Sequence, residues 1–148
     1  MAAQRKLQWA AKARARRPVA RLLLKATRVM AKLLIVEDES ATAWAMAEGL
    51  KDDGFETATC GSAEDALPLL RAEVPDLVIT DLRLPGMSGL ALARRLRSGR
   101  KPLPVIVVTA FGSPEALAEL EECGVHAVFP KPFRVDQLRR SVHEALGS

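Results

Sequence analysis

Five side chains with reactive chemistry stand at the ends of short apolar runs. Glu37-Asp38 follows Leu33–Val36, Asp81 follows Leu77–Thr80, Thr109 follows Val105–Val108, and Lys131, between two prolines, follows Ala127–Phe129. They supply an acidic pair, a single acid, a hydroxyl and an amine. Short, continuously apolar runs read as strands covered on both faces. Ligands of an open parallel sheet gather beyond the carboxyl ends of its strands. Singly, each residue has a plainer reading. Asp81 could cap the turn signalled by Leu84-Pro85-Gly86, Thr109 could be a β-former and Lys131 a surface charge. Four strand ends carrying such groups would bring all of them to one edge of one sheet.

The elements that must position them alternate strand and helix. Lys32–Val36 is the first strand. Ser40 is placed to cap a helix whose core positions are Ala43, Trp44, Ala47 and Leu50, with Gly54 ending it. Glu56–Cys60 is polar enough for an edge strand. Ser62 caps a helix through about Ala72, with Ala66, Leu67 and Leu70 inward. Pro68 leaves the Glu64 carbonyl without its N–H, which predicts a kink or an early end. After the third strand, Ser88–Leu96 reads as a helix with Leu92 and Leu96 inward and Arg94, Arg95 and Arg97 outward. Pro104–Val108 is the fourth strand. Ser113-Pro114-Glu115 is a strong helix start, Leu117 and Leu120 face inward, and Gly124 is a C-cap. Ala127–Phe129 is the fifth strand. A last helix turns Val135, Leu138, Val142 and Ala145 inward and stops at Gly147. Five successive strand–helix units predict an α/β, doubly wound, five-stranded parallel sheet.

Four motifs in order, Glu37-Asp38, Asp81-x-x-Leu84-Pro85-Gly86-Met87-x-Gly89, Val108-Thr109-Ala110 and Lys131-Pro132-Phe133, resemble the receiver domain of bacterial two-component response regulators. The resemblance covers about Lys32–Leu146. It implies a flavodoxin-like receiver fold with strand order 2-1-3-4-5. It also implies that Asp81 is the phosphoacceptor, with Thr109 and Lys131 binding phosphoryl oxygens. Mg²⁺ would be held by Asp38, Asp81 and the backbone carbonyl of Arg83, with Glu37 reaching it through water. That choice of ion suits the chemistry, because crowded carboxylates repel unless a cation joins them, and hard oxygens suit Mg²⁺. The Lys131-Pro132 bond is expected to be cis, aiming the lysine at the site. Implied partners are a sensor histidine kinase or histidine phosphotransfer protein, and a downstream target docking on the fourth helix, fifth strand and fifth helix, where Ala116, Glu119, Arg134 and Arg139 are candidates for exposure. Such a protein catalyses only its own phosphorylation and dephosphorylation and works in the cytoplasm. With only Gly147 and Ser148 beyond the last helix, a stand-alone receiver is expected. A haloacid-type hydrolase also forms an aspartyl phosphate, but the second acid it would want two residues after Asp81 is here Arg83. One position departs from the family. Three residues before Lys131 an aromatic ring is usual; Val128 stands there, and Phe129 should point to the opposite face. The aromatic half of the usual switch is therefore in question. Arg83 and Phe111, both bulky, flank the expected path of attacking water and predict slow loss of phosphate.

The chain has 148 residues and a formal net charge of +4, a sum that conceals two unlike parts. Residues 1–29 contain nine basic side chains and no acid, and the remainder of the chain is net acidic. The expected division is a basic N-terminal extension, 1–30, and a receiver domain, 31–148. After Pro18, Val19, Leu22, Leu23, Ala26 and Met30 share one helical face, opposite Arg21, Lys25 and Arg28. A basic amphipathic helix can bind nucleic acid or a membrane surface, so a receiver-regulated binder using 1–29 is the alternative function. Other readings of the segment are translation upstream of a true start at Met30, a solvated tail, or an organellar transit peptide. Cys60 and Cys123 have no metal-site spacing and read as reduced, packed thiols. No run of apolar residues is long enough for a membrane span.

Overall fold

A computed structural model of the chain describes residues 30–147. The expectations for residues 1–29, a basic helix, arm or leader, lie outside the described residues. Five parallel strands, β1 (Lys32–Val36), β2 (Glu56–Cys60), β3 (Leu77–Asp81), β4 (Val105–Thr109) and β5 (Ala127–Pro130), form one sheet in the order β2-β1-β3-β4-β5. They alternate with α1 (Ser40–Lys51), α2 (Ala63–Ala72), α3 (Gly89–Arg97), α4 (Pro114–Cys123) and α5 (Val135–Leu146). This is the doubly wound receiver-type architecture, with polar β2 at one edge.

Alternation along the strands divides the core. Leu33, Ile35, Leu77, Ile79, Ile106, Val108 and Phe129 pack with Met46, Leu50, Leu138 and Val142 of α1 and α5. On the other face Leu34, Val36 and Val78 meet Ala63, Ala66, Leu69 and Leu92, while Val105, Val107 and Val128 meet Leu120 and Ala93. Both faces are covered, which is why the central strands are continuously apolar rather than alternating. Phe129 and Val128 fall on opposite faces, as strand alternation requires.

Several local expectations are corrected. Glu39, not Ser40, occupies the N-cap of α1, and no side chain caps that end. Trp44 is 63% exposed, and Met46 takes the buried place. An alanine-rich helix offers apolar residues all round, so tertiary packing selects the stripe. In α2 the buried residues are Ala63, Ala66 and Leu69, with Leu67 and Leu70 half-buried, and the helix continues through Pro68 to Ala72. Leu117 is 39% exposed rather than buried. Arg97 is half-buried: its Nε donates to the Cys123 carbonyl at 3.2 Å and Nη1 to the Leu103 carbonyl at 3.1 Å, tying α3 to α4. The side-chain caps at Ser62 and Ser113 are present, Ser88 caps α3 rather than opening it, and Gly124 and Gly147 end their helices in the left-handed conformation. The Lys131-Pro132 bond is cis. Among the described residues, no helix is long and apolar enough to cross a membrane.

Candidate functional site

The register places the site. Val36 lies beside Thr80, Asp81 beside Val108, and Thr109 beside Pro130. The ladder runs a residue past each strand, with Glu37 N–H donating to the Cys60 carbonyl at 2.9 Å and Lys131 N–H to the Thr109 carbonyl at 2.8 Å. Glu37 continues the face of Leu33 and Ile35, Asp81 that of Leu77 and Ile79, and Lys131 that of Phe129. Three polar side chains from three strands therefore emerge on the same side of the sheet edge.

They meet there. Lys131 Nζ donates to Glu37 Oε1 at 2.5 Å and to Asp81 Oδ2 at 2.8 Å. The second Asp81 oxygen, Oδ1, accepts the Arg83 N–H at 3.0 Å, and Glu37 Oε2 accepts the Glu39 N–H at 3.2 Å. Glu37 and Asp81 are buried, at 2% and 6% exposure, whereas Asp38 is open to solvent. Carboxylate oxygens of Glu37, Asp38 and Asp81 all lie within 4.8 Å of one another.

This crowding has an electrostatic consequence. Burial pushes the Glu37 carboxyl above the usual glutamate value, and the nearby Asp81 charge adds to the rise. The Lys131 ammonium and the Glu39 N–H counter it without cancelling it. For Lys131, burial alone would favour the neutral amine. Its hydrogen bonds to Asp81 and Glu37 outweigh that, and the ammonium is held above its ordinary value. One cation thus serves two buried acids with a third close by. The set has room for additional positive charge, and oxygen donors at this spacing suit a small divalent cation such as Mg²⁺.

Thr109 reaches the same edge but not the same cluster. It continues the face of Val105 and Val107, and its hydroxyl is engaged in its own exit loop. Oγ1 donates to the Phe111 carbonyl at 2.8 Å and accepts the Phe111 N–H at 3.1 Å. The Phe111 ring, 64% exposed, lies under the Arg83 guanidinium at 5.2 Å, so the two bulky residues flanking Asp81 touch each other. Of the surface residues proposed for partner contact, Arg134 is exposed, while Ala116, Glu119 and Arg139 are half-buried. Glu119 pairs with Arg94 and Arg139 with Asp53.

The loop after Asp81 is built to close tolerances. Gly89 N–H donates to the Leu82 carbonyl at 2.9 Å. A Cβ at Gly89 would lie 1.9 Å from the Asp81 carbonyl oxygen, so only glycine allows the loop to return this close. Glu64 of α2 accepts the Met87 N–H at 2.8 Å. Sequence reasoning read Glu64 only through its carbonyl. Its place two residues after the Ser62 cap put the side chain in the first turn of α2, but no local pattern connects that turn to Met87.

Residues 33–143 match the family described as the response regulator receiver domain. Sporulation initiation phosphotransferase F of Bacillus subtilis (strain 168) is 32% identical over 115 residues, which are 78% of this chain and 93% of that protein. The DNA-binding transcriptional regulator NtrC of Klebsiella pneumoniae is 33% identical over 112 residues, 76% of this chain but only 24% of that one. The chain therefore spans nearly all of the first relative's length and about a quarter of the second's. Among solved structures, a CheY-like response regulator receiver domain protein from Methanospirillum hungatei JF-1 has a TM-score of 0.76 at 26% identity, covering 80% of this chain and 94% of that one.

Proposed function

The chain belongs to the response-regulator receiver family, and on that footing we propose that Asp81 is its phosphoacceptor in a two-component phosphorelay. One observation carries the reading: a buried carboxylate at a strand end has one oxygen held by a lysine and the other by a backbone N–H, with two further acids within reach. An Asp81 oxygen attacks the phosphorus of a phosphohistidine. The new bond is O–P, the P–N bond breaks, and its electron pair leaves with the imidazole. Such a transfer asks for alignment and for neutralisation of the phosphoryl oxygens. Lys131, already on Asp81 Oδ2, is the cation at hand for one oxygen. Thr109 would release Phe111 and offer its hydroxyl to another. Asp38, Asp81 and the Arg83 carbonyl would hold Mg²⁺, with Glu37 behind them through water. When bound, the ion supplies the remaining positive charge for the phosphoryl oxygens.

The donor in this reading is a sensor histidine kinase or a histidine phosphotransfer protein. The cellular setting is the cytoplasm, in keeping with Cys60 and Cys123 standing as thiols rather than as a disulfide. Output is by contact through α4, β5 and α5. In support, Phe111 and Leu117 are exposed beside a cleft of about 560 Å³ lined also by Val125, Val128 and Pro130. The small Val128 contributes no ring to it.

Intact-mass measurement after incubation with acetyl phosphate and Mg²⁺ tests the reading. The parent should gain one phosphoryl group and Asp81→Asn none. A parent that gains nothing, or an Asn variant that gains as much, would overturn it.

A further inference from the structure

We infer that Glu64, on α2 and outside the acidic cluster, is a positioning residue for the phosphorylation site. The inference rests on the reading of Asp81 as phosphoacceptor.

The β3–α3 loop is fixed at its base by the Gly89 N–H to Leu82 carbonyl bond and by the contact of Gly89 with the Asp81 carbonyl. Its tip is held from another element. Glu64 Oε2 accepts the Met87 N–H at 2.8 Å, and the same carboxylate lies against Gly86. A Cβ on Gly86 would sit 2.2 Å from Glu64 Oε2 and 2.9 Å from Cδ, and the backbone there has φ +75°. Gly86 therefore supplies both the left-handed turn and the clearance that lets the carboxylate reach the next peptide. Between base and tip lies Arg83, whose N–H fixes Asp81 Oδ1 at 3.0 Å and whose carbonyl belongs to the proposed ion set. A loop free at its tip would spend part of its time with that peptide turned away. Apparent affinity falls by the fraction of time the site is competent. Glu64 keeps that fraction high without touching the reacting atoms.

The experiment titrates Mg²⁺ into the full chain by calorimetry, for the parent, Glu64→Ala and Glu64→Gln, alongside melting curves and initial rates with acetyl phosphate. Loss of one hydrogen bond to a carboxylate predicts roughly a five- to ten-fold weaker Mg²⁺ affinity in Glu64→Ala, and a matching fall in rate at sub-saturating Mg²⁺ that saturating Mg²⁺ restores. Glu64→Gln keeps an acceptor oxygen and should stay near the parent. Unchanged Mg²⁺ affinity in a folded Glu64→Ala overturns the inference. So does a Gln variant as weak as the Ala variant, because the side chain's charge and not its bond would then be responsible. A parent that binds no Mg²⁺ and takes no phosphoryl group would instead count against the phosphoacceptor reading itself.

Discussion

The two rims of the sheet each hold a lysine between acids, and they are wired for different ends. At the amino end, Lys32 pairs through Nζ with Glu73 and through its backbone N–H with Asp76 at 2.7 Å. One ammonium meets one carboxylate, and the second acid is answered by a peptide group. The cluster ties the start of β1 to the segment between α2 and β3, with two acids against one ammonium and Glu73 Oε2 buried without a hydrogen bond. At the carboxyl end, Lys131 stands between Glu37 and Asp81, and Asp38 adds a third acid. There three acids face one ammonium, against two at the amino end. The ingredients are nearly the same; the larger imbalance separates a strut from a site that can draw in a cation.

The sharpest way to break that comparison is to remove each lysine. Lys131→Met should slow phosphorylation by acetyl phosphate by about 100-fold or more, the scale for losing a preorganised charge at a reacting oxygen. Lys32→Met should leave the rate near the parent's and cost about 2 kcal/mol of stability in urea unfolding, because a partly buried carboxylate loses its partner. Equal effects of the two variants on rate would erase the distinction.

A smaller effect is expected at the rim itself. Phe111 and Arg83 lie against each other beside Asp81, and bulk there would keep water from an acyl phosphate formed on it. Phe111→Ala and Arg83→Ala should each shorten the phosphate half-life several-fold, read by loss of label. A parent half-life of seconds that neither change alters would show that these side chains do not shield it.

The charge imbalance also predicts a pH dependence. Glu37 holds its proton more tightly in the folded chain than at its ordinary value of 4.5. In that window the native state binds more protons than the unfolded state, so the group's contribution to stability is complete below 4.5 and is lost as pH rises through the folded value. Without metal, Glu37→Gln should be more stable than the parent at neutral pH by about 1 kcal/mol, and the gap should close on acidification. A less stable Gln variant at neutral pH would mean that the Lys131 bond outweighs burial.

The smallest effect is assigned to a third cluster, built on the turn between α1 and β2. Asp53 accepts from Arg139 and lies 2.9 Å from His143 Nε2. The Arg139 guanidinium, with His143, lowers its carboxyl from 3.8 to about 2. Its contribution is present above 3.8 and lost as pH falls from there toward 2. Asp53→Asn should lower the melting temperature slightly at neutral pH and show no difference at the acid end of that range. A difference that persists there would point to packing rather than charge.

Local patterns gave most of the fold. Apolar runs located four strands and a polar run the edge strand, all to within a residue, and Ser62, Ser113 and Gly124 marked helix ends because caps depend on the chain nearby. Strand order was legible only through the family resemblance, since alternating strands and helices do not fix which strands are neighbours. The side a helix buries was legible where its apolar residues formed one stripe, as with Leu138 and Val142. It was not legible in α1, where Met46 displaced Trp44 from the core, nor at Arg97, whose guanidinium found carbonyls on distant segments. In the site, residue type and place at a strand end were enough to single out Glu37, Asp38, Asp81, Thr109 and Lys131. Which of them touch was not, and neither was Glu64, whose partner is 23 residues away.

By itself, the order of residues settled to within a residue where each strand stops and which polar side chains stand at the ends of four of them, because strand formation and turn chemistry act over a few neighbouring residues. Only the assembled sheet decided that Glu37, Asp81 and Lys131 share one face while Thr109 leans to the other and binds Phe111. That outcome depends on how separate strands line up, and register is set by the packing of both faces at once.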